Sequence, residues 1–125
     1  MVFQQSATLV FIDKMHFINV FVNLFSNAIK YSKNAPDITV GTRLSEEALI
    51  ISVKDNGIGI PAKFQKYIFD KYYRVPTGNV HNAKGFGIGL AYVKQIVEAH
   101  GGTIMVESEA HEGTIFVIKL PLKES

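Results

Sequence analysis

Apolar and polar positions along the 125-residue chain alternate between stretches with a period of two and stretches with a helical period. Ala7 to Ile12 reads as a short strand, and Asp13 follows it in the position of a helix N-cap. From Lys14 to Tyr31 the spacing is helical: Phe17, Val20, Phe21, Leu24, Ala28 and Tyr31 share one face, and Ile18, Val22, Phe25 and Ile29 widen it. Such a helix is expected to be buried nearly all round, apart from a narrow stripe of Asn19, Asn23, Asn27 and Lys30 with His16 at its upper end. Two strands follow, Ile38 to Arg43 and Ala48 to Asp55, joined by the polar turn Leu44-Ser45-Glu46-Glu47. Pro61 then suits the first turn of a short helix carrying Phe64, Tyr67 and Ile68. The stretch DKYYRVPTGNVHNAKG is polar, rich in turn formers and aperiodic, which predicts a long loop of the kind that covers a site. A helix from Gly89 to His100, capped by Gly101, and strands Thr103 to Ser108 and Thr114 to Leu120 complete the pattern. The order β-α-β-β-α-loop-α-β-β predicts an α+β fold, a two-layer α/β sandwich in which helices cover one face of a mixed sheet.

Composition narrows the function classes. With 47% hydrophobic and 19% charged residues, residues 1–125 are expected to form one domain with a real core. The absence of cysteine excludes disulfides and thiolate metal sites and agrees with a reducing, cytoplasmic compartment. The apolar runs are too short to span a bilayer and the N-terminus has no secretory pattern, so direct membrane contact by this segment is not expected. A formal charge of +2 without a basic stripe argues against nucleic acid as a partner. An anion bound here must be held by local chemistry.

Three places could supply that chemistry. In KGFGIGLA, Gly85, Gly87 and Gly89 stand at the mouth of a helix, where bare backbone and free N–H groups suit a phosphate, although the same glycines would serve as a flexible helix entry. A dinucleotide fingerprint would need glycine in place of Leu90, and a P-loop would need Lys-Ser/Thr in place of Leu90-Ala91. In DNGIGIP, Asn56-Gly57 could be a simple hairpin turn, but the return strand would run straight into Pro61. The ligand reading has Asp55 accepting a hydrogen bond from an exocyclic amine such as that of adenine, with Gly57 and Gly59 against the ring. On the asparagine stripe, an amide oxygen facing phosphates is a suitable Mg²⁺ ligand, with Lys30 as neighbouring positive charge.

In order along the chain, NLFSNAIKYS, DNGIGIP, IFDKYYRV and GFGIGLA, with EGT at Glu112 to Thr114, resemble the N, G1, F and G2 boxes and the last glycine box of sensor histidine kinases. The resemblance spans about Asp13 to Pro121 and implies the catalytic, ATP-binding domain of a two-component kinase, in the superfamily of DNA gyrase, mismatch-repair and heat-shock chaperone ATPases. It implies ATP and Mg²⁺ as cofactors, with Asn27 on the metal, Asp55 on the adenine amine, and Gly57, Gly59, Ile60 and Tyr31 around the base. Lys30 would meet the phosphates, Lys71 or Arg74 would reach the terminal one, and Lys84, Gly85, Phe86, Gly87, Ile88, Gly89 and Leu90 would cradle the chain. Tyr67 and Thr114 also join the nucleotide site, and Tyr67 to Lys84 would be a mobile lid. Phe86 departs from the small hydroxyl residue usual at its place, and Asp70 from the commoner glutamate.

Asn23 bears on the reaction, because hydrolysing relatives carry glutamate there as general base and an amide cannot take that proton. The implied activity is therefore transfer of the γ-phosphoryl group to a histidine, with little activity by this segment alone. His16, His81 and His100 are not followed by an acidic residue, and His111-Glu112 runs into a β pattern, so all four read as surface or structural. The acceptor is expected on a separate dimerisation domain, with a response-regulator receiver domain as downstream partner and a parent protein that is commonly anchored in the membrane. A nucleotide-binding scaffold without transfer, a weak ATPase and a serine kinase of the anti-sigma type are the competing readings.

Overall fold

Four strands and their hairpins organise the main sheet of the computed structural model, which describes residues 2–5, 8–11, 13–31, 35–70, 87–109 and 112–124. The elements are β1 (Val2–Gln5), β2 (Thr8–Phe11), α1 (Lys14–Lys30), β3 (Ile38–Leu44), β4 (Ala48–Asp55), α2 (Ala62–Gln65), α3 (Gly87–Ala99), β5 (Thr103–Ser108), β6 (Thr114–Pro121) and β7 (Lys123–Glu124). The main sheet has the order β3-β4-β6-β5, and a smaller one has the order β1-β2-β7. Every pairing among the described strands is antiparallel, which corrects the expected mixed sheet. The connection through α3 does bring β5 back in the same direction as β4. However, β6 inserts between them and pairs with both, so no parallel neighbours arise.

Strand parity decides what faces the helices. In β4, Ile51, Val53 and Asp55 are buried, and opposite them in β6 lie Ile118, Phe116 and Thr114, also buried. Phe17, Val20 and Leu24 of α1 and Leu90, Val93, Ile96 and Val97 of α3 complete one apolar cluster with these residues. Burial of this set is the main force holding the layers together.

The expectation that α1 is buried nearly all round is not met. Met15, Ile18, Val22 and Ile29 are 43% to 66% exposed, and the buried stripe is Phe17, Val20, Leu24, Asn27 and Ala28. A helix in a two-layer fold meets the sheet on one side and a neighbouring helix on another, here α3, and its remaining sides face solvent whatever their composition. Phe21 and Phe25 lie at the border, half-buried and stacked with centroids 6.0 Å apart.

The caps agree with their sequence signals. The Asp13 carboxylate accepts from His16 N–H at 3.1 Å, and Gly101, at φ +78°, ends α3 with its N–H on the Glu98 carbonyl. His100 joins the two caps. Its Nε2 accepts from Asp13 N–H at 2.9 Å, its Nδ1 lies 2.7 Å from the Ile96 carbonyl, and its ring meets Phe17 edge-on at 4.8 Å. These partners fix the neutral tautomer with the proton on Nδ1. His100→Ala is expected to lower stability by roughly 1–3 kcal/mol, from two lost hydrogen bonds and one aromatic contact. Urea unfolding measures this, and a loss below about 0.5 kcal/mol, the level of an ordinary surface site, would contradict the clasp.

Candidate functional site

The interior end of β4 carries a buried carboxylate. Asp55 pairs with Thr114 of β6 and is 9% exposed, so its side chain is held between layers instead of in solvent. Burial pushes its carboxyl above the ordinary carboxylate value, and hydrogen bonds from Gly57 N–H, at 2.8 Å, and from Thr114 N–H pull part of the way back. Beyond Asp55 the chain folds against the C-terminus of α1. Ile58 N–H donates to the Tyr31 carbonyl at 3.0 Å. A Cβ on Gly57 would come within 2.7 Å of that same oxygen, so the close approach itself requires glycine. Tyr31, Asp55 and Gly57 are thus brought together. Ile60 is buried in the core, and its N–H donates to Ser108 Oγ at 2.7 Å.

A second group forms where α1 crosses α3. Asn23 donates from Nδ2 to the Asn19 carbonyl at 2.8 Å, while its Oδ1 faces Gly89, where a Cβ would stand 2.8 Å away. A side chain at Gly89 would therefore have to displace the Asn23 amide, while the Asn23 Cβ, 3.9 Å away, leaves it room. Gly87 opens α3, so Gly87, Ile88, Gly89 and Leu90 form its first turn, whose N–H groups helix geometry leaves without intrahelical partners. Leu90 itself points into the core and offers only backbone to a ligand. Between the two groups, on the same helix, lies Asn27, 9% exposed and one turn from Asn23 on one side and Tyr31 on the other. Lys30 is half-buried in the last turn of α1.

Asn27 is one amide on a helix, and no group of three or more His, Cys, Asp or Glu side chains among the described residues could hold a metal by itself. That donor set fits Mg²⁺ only when phosphate and water provide most of its oxygens. Tyr67 is 41% exposed, with the Lys66 ammonium 5.0 Å from its ring centroid. Lys71, Arg74, Lys84, Gly85 and Phe86, and with them most of the expected lid, lie outside the described residues.

A cavity of about 250 Å³ also touches Asp55, and Glu107, Glu109 and Glu112 line it. A hydrogen bond and like charge from Glu112 hold the Glu109 carboxyl above its ordinary value, and Lys54 is the one cation among the described residues on the same lining.

Two supporting residues escaped the sequence reading. Gln65 Nε2 donates to both the Ile60 and the Ser108 carbonyls at 2.8 Å, and Ser108 Oγ also bonds the Gly113 carbonyl at 2.7 Å and Thr114 Oγ1 at 2.9 Å. Their partners lie more than 40 residues away, apart from the hairpin contacts of Ser108 and the local Ile60 bond of Gln65. No local pattern announces such bonds.

Residues 12–124 match the family described as histidine kinase-, DNA gyrase B-, and HSP90-like ATPases. The chain is 53% identical over 115 residues to the sensor protein RprX of Bacteroides fragilis, covering 90% of this chain and 22% of that protein. It is 43% identical over 115 residues to the sensor histidine kinase WalK of Bacillus subtilis, covering 90% and 19%. The chain thus spans about a fifth of the length of these curated relatives. Among solved structures, the mycobacterial sensor histidine kinase MprB superposes with a TM-score of 0.78 at 27% identity, covering 94% of this chain and 80% of that one. The nucleotide-free catalytic domain of the histidine kinase ThkA gives 0.75 at 26%, covering 90% and 71%.

Proposed function

From the premise that the chain belongs to the histidine kinase-, DNA gyrase B- and HSP90-like ATPase family, as a histidine-kinase catalytic domain, we propose that it binds ATP with Mg²⁺ and passes the γ-phosphoryl group to a histidine elsewhere. One observation carries this reading. Along a single helix, α1, Tyr31 touches the turn next to the buried Asp55, and Asn23 touches Gly89 at the start of α3. Eight residues of helix separate these contacts by about 12 Å, a length that suits a nucleoside triphosphate lying along the helix with Asn27 midway.

In this pose the Asp55 carboxylate accepts from the adenine amine, and the Gly57 and Gly59 backbone lets the ring lie close. The first turn of α3 faces the phosphates, Lys30 adds positive charge, and Lys71, Arg74 and Lys84 are assigned to the terminal phosphate and its cover. Asn27 would hold the Mg²⁺, which supplies charge neutralisation to the phosphate oxygens when bound. Attack by an imidazole nitrogen on the γ-phosphorus breaks its bond to the β-bridging oxygen, which leaves on ADP, and the imidazole N–H proton passes to solvent. Asn23 cannot take a proton from water, and its amide nitrogen is bonded to the Asn19 carbonyl, so at this position hydrolysis is left without a general base. The chain then works by positioning and charge, and needs a histidine-bearing dimerisation domain beside it and a receiver domain downstream. Among the described residues no helix is long and apolar enough to cross a membrane. The supply of ATP makes the cytoplasm the location this function calls for, with or without a membrane anchor elsewhere in the parent protein.

Two measurements test the proposal. Mixed with a dimerisation domain bearing the acceptor histidine, the chain should form acid-labile phosphohistidine from ATP; nucleotide binding without any transfer would favour the scaffold reading. Asn27→Ala should lose most of the gain in nucleotide affinity that Mg²⁺ gives the wild type, roughly tenfold for one lost charge-assisted ligand. If Mg²⁺ strengthens binding equally in both, the metal does not sit on Asn27.

A further inference from the structure

The turn from Asn56 to Ile60 is tied down at both ends. At its start, Gly57 N–H bonds the Asp55 carboxylate and Ile58 N–H bonds the Tyr31 carbonyl. At its end, Ile60 is gripped through both backbone groups: its N–H donates to Ser108 Oγ at 2.7 Å, and its carbonyl accepts from Gln65 Nε2 at 2.8 Å. The same Gln65 amide nitrogen carries a second proton, which goes to the Ser108 carbonyl at 2.8 Å. Ser108 Oγ accepts from Ile60 and has one proton to give, directed at the Gly113 carbonyl 2.7 Å away. The Thr114 hydroxyl, 2.9 Å from Ser108 Oγ, then donates to it, while Thr114 N–H bonds Asp55. A closed set of partly buried bonds thus runs from α2 through the β5–β6 hairpin to the carboxylate.

We infer that Gln65 and Ser108 are positioning residues for nucleotide binding: they set the height of the Asn56–Ile60 turn over Asp55 and tie it to α2. The inference rests on the reading that this turn receives the base. Neither side chain needs to touch the nucleotide. The physical reason is preorganisation, since a turn already held in the bound geometry loses less freedom when the ligand arrives. Gln65 is suited to the task because one NH₂ group satisfies two carbonyls that would otherwise be partly buried without donors, and no carboxylate or aliphatic residue can do so.

The test compares wild type, Asp55→Asn, Gln65→Met, Ser108→Ala and Ser108→Thr in calorimetric titration with a non-hydrolysable ATP analogue in Mg²⁺. Urea unfolding and the amide NMR signals of Gly57, Gly59, Val93 and Val97 accompany each titration. Gln65→Met keeps length and burial but has no donor, and is expected to bind about tenfold more weakly. Its Gly57 and Gly59 signals should shift while Val93 and Val97 in α3 stay in place. Ser108→Ala should behave likewise, and Ser108→Thr, which keeps the hydroxyl, should recover most of the affinity. Wild-type affinity in both Gln65→Met and Ser108→Ala overturns the inference. So does an affinity loss that merely follows lost stability with the glycine signals unmoved. A wild-type chain that binds no analogue, or an Asp55→Asn chain that binds as well as wild type, removes the base-site reading and this inference with it.

Discussion

Asp55→Asn is expected to weaken binding of an ATP analogue roughly 100-fold while the chain stays folded. The loss follows from replacing a charged acceptor by a group that can turn a donor toward the incoming amine, a change worth about 2–3 kcal/mol at a desolvated site. The fold should survive because the amide is isosteric and its oxygen can still accept from Gly57 N–H. The pH dependence separates this from general damage. Since burial raises the Asp55 carboxyl above its ordinary value of 3.8, the folded chain holds that proton more tightly than the unfolded chain does. The stabilisation this gives wild type is therefore complete below the ordinary value and is lost as pH rises through the raised one. Measured by urea unfolding, stability of Asp55→Asn relative to wild type should rise between about pH 3 and pH 7. A relative stability that falls over this range would mean the carboxylate is stabilised in place, and the desolvation argument would be wrong.

Gly113→Ala is expected to remove more than about 3 kcal/mol of stability, the largest effect of any substitution considered. Two causes coincide. Gly113 has φ +93°, a conformation costly for a residue with a Cβ, and the added carbon would lie 2.2 Å from the Asp55 backbone oxygen and 3.3 Å from Asn56 Cα. Neither neighbour can move without dragging the end of β4 with it. Gly101 provides the control: it has a similar φ of +78°, but its added carbon would meet only Pro121 Cγ at 3.4 Å. Gly101→Ala should therefore cost about 1–2 kcal/mol, from strain alone. Equal losses in the two variants would show that backbone strain, and not the fit of the β5–β6 hairpin against Asp55, decides the choice of glycine at 113.

Legibility in the sequence followed the range of the forces involved. β4 and β5 have the predicted limits because each is a short apolar-rich run bounded by turn formers, Ser45-Glu46-Glu47 and Asn56-Gly57 about the first and Gly101-Gly102 before the second, and α1 ends within a residue of its prediction. β1 and β7 were not predicted; the second is a two-residue strand that exists by pairing with β2, and no periodicity can be read in two residues. The apolar side of α1 at Ile18, Val22 and Ile29 misled for a different reason. Composition says that a face can be buried, and only the arrangement of layers says whether anything lies against it. In the site, Asp55 and Gly57 were readable because a buried strand end and a glycine turn are adjacent in sequence. Gln65 and Ser108 were not, since their bond crosses 43 residues and looks from each side like an ordinary polar position.

The β4–β6 ladder has a consequence for how this chain can change. Asp55 stands at an inward position opposite Thr114, and its neighbour Lys54 stands at an outward one opposite Ile115. With the ladder held, one residue gained upstream in β4 would bring Lys54 to the position of Asp55, and one residue lost would bring Asn56 there, so either change removes the carboxylate from the inward position. A one-residue insertion in that strand is thus expected to cost the cleft its carboxylate even where the hydrophobic content would tolerate it, and the turn beyond the ladder is itself fixed, by Ser45 Oγ on Ala48 and by Leu122 N–H on the Glu47 carbonyl at 3.1 Å.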